Sequence, residues 1–269
     1  SNLVLPIQKI YQQTSYEFEH RGVFRRFMTY KGIRQGCMAA PCLWSAFAAL
    51  LLLQATEALT WTFVLNFITT FADDFCIHQL FTSVSEFEAL IKALGVILDI
   101  IEGANLELNV VKTTATLRMK GTLLTKIQRK HLHRTNQGVF LKIPRQDGTF
   151  THIKLVKSFR YLGIMLSYFN FERETMEMRI KHSAQTAQQL HRWIYSTKSI
   201  PIKSKVRIWY QCVFTCLQYG ILFTGINEST ALMLHRFCLR QLRRLYKEPV
   251  HLTHETHQDF LYRFGRAHV

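Results

Sequence analysis

The chain has 269 residues, 48% of them hydrophobic, ample for one large domain or two smaller ones. Its formal charge of +16 is unevenly spread: residues 1–111 hold 7 Lys/Arg against 10 Asp/Glu, residues 112–170 hold 12 against Asp147 alone, and residues 171–269 hold 15 against 7. An acidic-centred apolar half followed by a basic half points to a polyanion partner near a site that needs carboxylates; the alternative is a merely soluble basic surface.

In chain order, LVLPIQKIYQQ reads as a short helix, and SYEFEHRGVFRRFMTY as a hairpin turning at His20-Arg21-Gly22. KGIRQGCMAAP is a Gly-bracketed loop, with Pro41 suited to the first turn of the next helix. That helix, about residues 42–60, is apolar nearly all round and is expected to be buried. Thr62 to Thr70 is a strand candidate, with Phe75 to Phe81 as its partner across Asp73 and Asp74. Ser83 or Ser85 caps a helix with Glu86 and Glu88 in its first turn, running to Gly103. Thr114 to Met119 reads as a strand, VFLKI and TFTHIKLV as a hairpin around Asp147-Gly148, and SFRYLGIMLS as a further strand. From Glu172 onward 3.6-residue periodicity dominates, with breaks at Ser199-Ile200-Pro201 and near Gly225-Ile226-Asn227. The expected fold class is α+β: an antiparallel sheet with packed helices over residues 1–170, then a helical bundle over residues 171–269.

The six cysteines (Cys37, Cys42, Cys76, Cys212, Cys216 and Cys238) form no CxxC pair, which reads as reduced, intracellular thiols. Cys238 with His235, His251, His254 and His257 lacks zinc-finger spacing. No signal peptide is recognisable, and the longest apolar run, Cys42 to Leu53, is too short to span a bilayer, so no membrane partner is expected. The chain starts at Ser1 rather than Met, which suggests a piece of something longer.

FADDF, residues 71–75, sets two adjacent carboxylates inside an apolar run, where an unpaired buried carboxylate costs several kcal/mol. Successive strand side chains point to opposite faces, so Asp73 and Asp74 can work together only if the chain turns beside them. Hard anionic oxygens at such a tip suit Mg²⁺ binding and two-metal phosphoryl transfer. About forty residues earlier, Gly32-Ile33-Arg34-Gln35-Gly36 offers flexible backbone and guanidinium and amide donors that can approach a nucleotide. Lys112, after a helix–strand turn, can neutralise a triphosphate or protonate leaving pyrophosphate. Phe159-Arg160-Tyr161-Leu162-Gly163 is an aromatic, basic strand suited to a nucleic-acid backbone.

The order GIRQG…P, FADD, LNVVKT, FRYLG resembles the palm of reverse transcriptases, specifically those of non-LTR (LINE-like) retrotransposons. FADD is similar to the family's [FY]xDD box, GIRQGCMAAP to its G-x-x-Q-G-x-x-x-S-P box, and FRYLGIML to the primer-grip strand. KSIPIKSKVRIWYQCVFTCLQYG and LHRFCLRQLRRL resemble the thumb segment. The resemblance implies an RNA-directed DNA polymerase with a right-hand palm and a helical thumb, using Mg²⁺ (or Mn²⁺), dNTPs, an RNA template and a DNA primer. It makes Asp73 and Asp74 the metal-binding catalytic carboxylates and Lys112 the acid or phosphate partner. It gives Arg34, Gln35 and Gly36 the nucleotide pocket, and Tyr161, Leu162 and Gly163 the primer end. It further implies action at nuclear target DNA and in a cytoplasmic ribonucleoprotein.

Two departures stand out. Ala40-Pro41 replaces the family's Ser-Pro, losing a hydroxyl. The family's first catalytic aspartate lies on a strand N-terminal to everything in this sequence, so an upstream fingers segment, with or without an endonuclease, is expected elsewhere in the same polyprotein. The rival readings are a group II intron-type reverse transcriptase, against which the KSK…LQYG…HRFCLRQLRR pattern argues, and a decayed or domesticated copy acting only as an RNA-binding module.

Overall fold

The computed structural model describes residues 8–9, 15–28, 32–33 and 36–268. The helix expected in LVLPIQKIYQQ falls outside them except for Gln8 and Lys9, which are helical. Two compact units emerge: Ser1–Thr113 with Met119–Lys154, and Thr114–Arg118 with Leu155–Val269. Each mixes helices with antiparallel strands, the α+β class expected.

In the first unit, β1 (Ser15–His20) and β2 (Val23–Met28) form the expected hairpin, turning on Arg21 and Gly22 at φ +54° and +76°. Next comes α1 (Ala40–Ala58), with Pro41 in its first turn, where the missing N–H costs nothing. The expectation that α1 is buried all round is corrected. Ala48, Leu51 and Ala55 are buried, whereas Leu50 and Leu53 are 59% and 52% exposed. Those three residues share a stripe at helical spacing, and α1 packs against α3 (Val84–Gly103). By length and composition alone α1 is also apolar enough to cross a bilayer, which corrects the shorter run read from the sequence.

The strand expected over Thr62 to Thr70 is mostly a helix, α2 (Trp61–Phe67). Thr60 accepts a hydrogen bond from the Phe63 amide at 3.1 Å, capping the first turn, and the Phe63 and Phe67 rings meet at 5.2 Å one turn apart. Only Ile68–Phe71 remains as strand, β3, paired antiparallel with β4 (Asp74–Ile77). Helix α3 starts as expected, with Ser83 capping the Glu86 amide and the Glu86 carboxylate accepting from the Thr82 amide at 2.6 Å. These bonds lower the Glu86 pKa.

The strand expected over Thr114 to Met119 shrinks to β5 (Thr114–Ala115), which belongs to the second unit. Two elements of the first unit were not anticipated: α4 (Leu123–His131) and β6 (Leu132–Thr135). With β7 (Gly138–Pro144) and β8 (Phe150–Leu155), β6 makes an antiparallel meander. Its β7–β8 turn is the one read from Asp147-Gly148, and Asp147 accepts from the Thr149 hydroxyl at 2.7 Å and amide at 2.8 Å. The inner face, Leu141, Ile143 and Ile153, is buried. A methyl group at Gly95 would overlap the Pro144 carbonyl oxygen, so glycine lets α3 lie directly against β7. Arg145 locks the same edge, donating to Asp99 at 2.6 Å and to Glu102 and Thr151.

In the second unit, SFRYLGIMLS is a hairpin rather than one strand: β9 (Ser158–Tyr161) and β10 (Ile164–Ser167) turn on Leu162 and Gly163, at φ +45° and +82°. Helices follow: α5 (Phe171–Gln189), a π-helical turn at Arg192–Ser196, α6 (Ile202–Ile208), a π-helical stretch at Trp209–Phe214, α7 (Thr215–Gln218), α8 (Ile221–Thr224), α9 (Glu228–Tyr246), α10 (Val250–Thr253) and α11 (His257–His268). Both expected breaks fall between helices, at Pro201 before α6 and at Asn227, whose capping box opens α9. Met176, Ile194, Trp209, Val213, Leu217 and Phe237 form the core. The β9–β10 hairpin groups with these helices, although the sequence reading set it with residues 1–170. Thr175 of α5 accepts from the Met165 amide at 3.0 Å, and buried Arg179 donates to the Gly163 carbonyl.

Candidate active site

The β3–β4 register pairs Phe71 with Asp74, leaving Ala72 and Asp73 as a two-residue turn. The chain therefore does turn at the aspartates, and both carboxylates are exposed rather than enclosed in a strand. Ala72 adopts φ +52°, a left-handed conformation that costs a residue with a Cβ about 1–2 kcal/mol. Such strain persists only where surrounding contacts hold it. One such contact is direct: the Trp44 indole N–H of α1 donates to the Ala72 carbonyl at 2.6 Å. Trp44 was missed by sequence reasoning. Its signal was a tryptophan one turn into an apolar helix, carrying an N–H that needs a partner.

On β4, burial pushes the Cys76 thiol up. Among the described residues, no group of three or more His, Cys, Asp or Glu is placed to hold a metal. The hairpin tip thus offers two anionic oxygen groups open to solvent. That donor set fits Mg²⁺, which keeps several waters and takes one or two carboxylates together with substrate phosphates.

Lys112 is exposed in a turn where its amide donates to the Asn109 carbonyl and side-chain oxygens at 3.0 and 3.1 Å. Among the described residues, no ion pair or hydrogen bond joins its ammonium to Asp73 or Asp74. Gly36 takes φ +84° with open space around it, while Arg34 and Gln35 lie outside the described residues. Tyr161, Leu162 and Gly163 come together at the β9–β10 turn. There Arg179, only 5% exposed, stacks over the Tyr219 ring at 4.5 Å while donating to Gly163. Burial lowers its pKa, and Arg160 lowers it further. A Cβ at Gly163 would collide with both Arg179 and Tyr219, so the turn and its clamp require glycine.

A family model described as reverse transcriptase (RNA-dependent DNA polymerase) matches residues 2–166. The match spans more than half of the chain and contains the Asp73–Asp74 hairpin; the chain belongs to the reverse transcriptase family. No curated protein and no solved structure matches it.

Proposed function

We propose that this chain is the palm and thumb of a non-LTR retrotransposon reverse transcriptase, extending a DNA primer on an RNA template from dNTPs. In this reading residues 1–170 serve as palm and residues 171–269 as thumb. The observation that carries it is the β3–β4 tip, where Asp73 and Asp74 stand side by side on a strained turn bonded to Trp44. Asp73 and Asp74 would hold Mg²⁺ or Mn²⁺. Such a metal would supply Lewis acidity toward a primer 3′-hydroxyl and a leaving pyrophosphate. Lys112 neutralises triphosphate or protonates pyrophosphate, Arg34, Gln35 and Gly36 shape the nucleotide pocket, and Tyr161, Leu162 and Gly163 hold the primer end. The basic excess after residue 111 binds template and primer backbones. In a retrotransposon, work at nuclear target DNA and in a cytoplasmic ribonucleoprotein accords with this set of partners.

The test is RNA-templated primer extension with the chain carried in its full reading frame. Asp73→Asn is expected to abolish extension, because an amide is a poor Mg²⁺ ligand, and to leave template–primer affinity within about threefold. Near-normal extension by this variant overturns the catalytic assignment. Tight RNA binding with no extension even by the wild type favours the RNA-binding module instead.

A further inference from the structure

The β6–β7–β8 meander has two opposite faces. Alternation sends Leu141, Ile143 and Ile153 into the core, and Phe140, Lys142, Phe150, His152 and Lys154 to the opposite, outward face. The pairings Phe140 with Lys154, Lys142 with His152 and Pro144 with Phe150 lay that outward face in rows, with His133 extending the first through its pairing with Phe140. His133 and His152 meet edge to face at 5.5 Å, and the Lys142 ammonium lies 3.8 Å over the Phe150 ring, which is 48% exposed. His133, Phe140, His152 and the turn residues Asn136 and Gln137 border a shallow depression of about 500 Å³. Among the described residues, the three strands that make this face carry no Asp or Glu. The four acidic side chains of α3 are turned to other partners, Asp99 and Glu102 to Arg145, Glu88 to Lys130 at 2.7 Å and Glu86 to Thr82.

We infer that this outward face is a docking platform for single-stranded RNA, outside the Asp73–Asp74 hairpin. Aromatic and imidazole rings supply sequence-tolerant stacking surfaces, and lysines set among them track the backbone, the combination used by single-strand-binding sheets. Asn136 and Gln137 add donors and acceptors for exposed base edges. Duplex RNA does not fit, because its bases are stacked on one another and unavailable to rings. The choice of RNA rests on the proposed reaction, in which the template is the strand that arrives unpaired.

The test is photo-crosslinking of a 20-nucleotide, 4-thiouridine-substituted RNA to the full chain, with the labelled peptides mapped by mass spectrometry. Crosslinks are expected on peptides containing Phe140, Phe150 and His152. The double variant Lys142→Gln/Lys154→Gln should lower their yield at least fivefold and reduce the salt slope of binding by about 1.4, since each phosphate contact on a single strand contributes about 0.7. Phe150→Ala should weaken binding roughly five- to hundredfold. All three substitutions lie on the outward face of the meander, and unchanged melting separates lost contacts from lost fold. Crosslinks confined to other peptides, or equal labelling by the matching DNA strand, overturn the inference. Primer extension on a short pre-annealed template–primer is read in parallel. Loss of the platform with extension intact, or the reverse, tells failure of this inference from failure of the polymerase reading.

Discussion

The Trp44 indole N–H reaches the Ala72 carbonyl oxygen at 2.6 Å, tying a helix to the hairpin tip at Asp73 and Asp74. A single net hydrogen bond is worth about 0.5–1.5 kcal/mol, comparable to the cost of a left-handed alanine. Trp44→Phe keeps an aromatic ring against Phe47, which the indole meets at 5.7 Å, and removes the donor. The variant is expected to extend primers about tenfold more slowly with template–primer affinity unchanged. Single-turnover extension compared with equilibrium binding checks this.

Gly95 and Gly103 both lie in α3, yet alanine should act oppositely at the two. At Gly95 a methyl group meets the Pro144 backbone oxygen, and overpacking of this kind costs about 1–3 kcal/mol. At Gly103 there is open space, and alanine should leave stability within about 0.5 kcal/mol of wild type or raise it. Denaturant titration of the two variants measures the difference.

Arg243 is the linchpin of the C-terminal segment. Only 4% exposed, it donates to the carbonyls of Glu248, Glu255 and Thr256 and stacks over Phe260 at 4.4 Å. Arg243→Ala leaves those oxygens without their donor and should destabilise the chain by about 2–4 kcal/mol. Lysine, lacking the guanidinium fork, should recover less than half of that loss. Thermal melts of the two variants give the comparison.

Cys238 offers a pH-dependent readout. Burial pushes its thiol up to about 11, and the thiolate is the reactive form. Iodoacetamide should therefore modify it far more slowly at pH 8 than the exposed Cys42 and Cys212, and its rate should keep rising through pH 10. Because the folded pKa lies above the ordinary value of 9.0, the stabilisation this neutral thiol lends is complete below pH 9 and is lost as pH rises through 11. Peptide mapping of alkylation against pH tests both the order and the slope.

The Asp73–Asp74 hairpin was legible because two neighbouring carboxylates on a strand point to opposite faces, so joint work by the pair called for a turn within FADDF. The segment just before it was not. In Trp61–Phe67 apolar residues are nearly continuous, so neither period stands out, and the outcome rested on the Thr60 cap. SFRYLGIMLS hid its hairpin because the turn places Leu162, an unusual residue, at positive φ beside Gly163. The basic stretch over α4 and β6 carries few apolar residues, and its period is masked by lysine and arginine. Arg179 looked like one more cation until the fold buried it against Gly163.

The contact between Gly95 and Pro144 acts as a spacer whose thickness is set by main-chain atoms. Side chains in the same layer, such as Ile91 and Ile143, can be trimmed or exchanged without letting helix and sheet draw closer, because the backbones already touch there. Drift in that layer would then surface as changed melting temperature rather than changed shape. The outward rows of His133, Phe140, Lys142 and His152 would keep their spacing while the layer beneath them varied, leaving the outer and inner faces of one sheet free to evolve at separate rates.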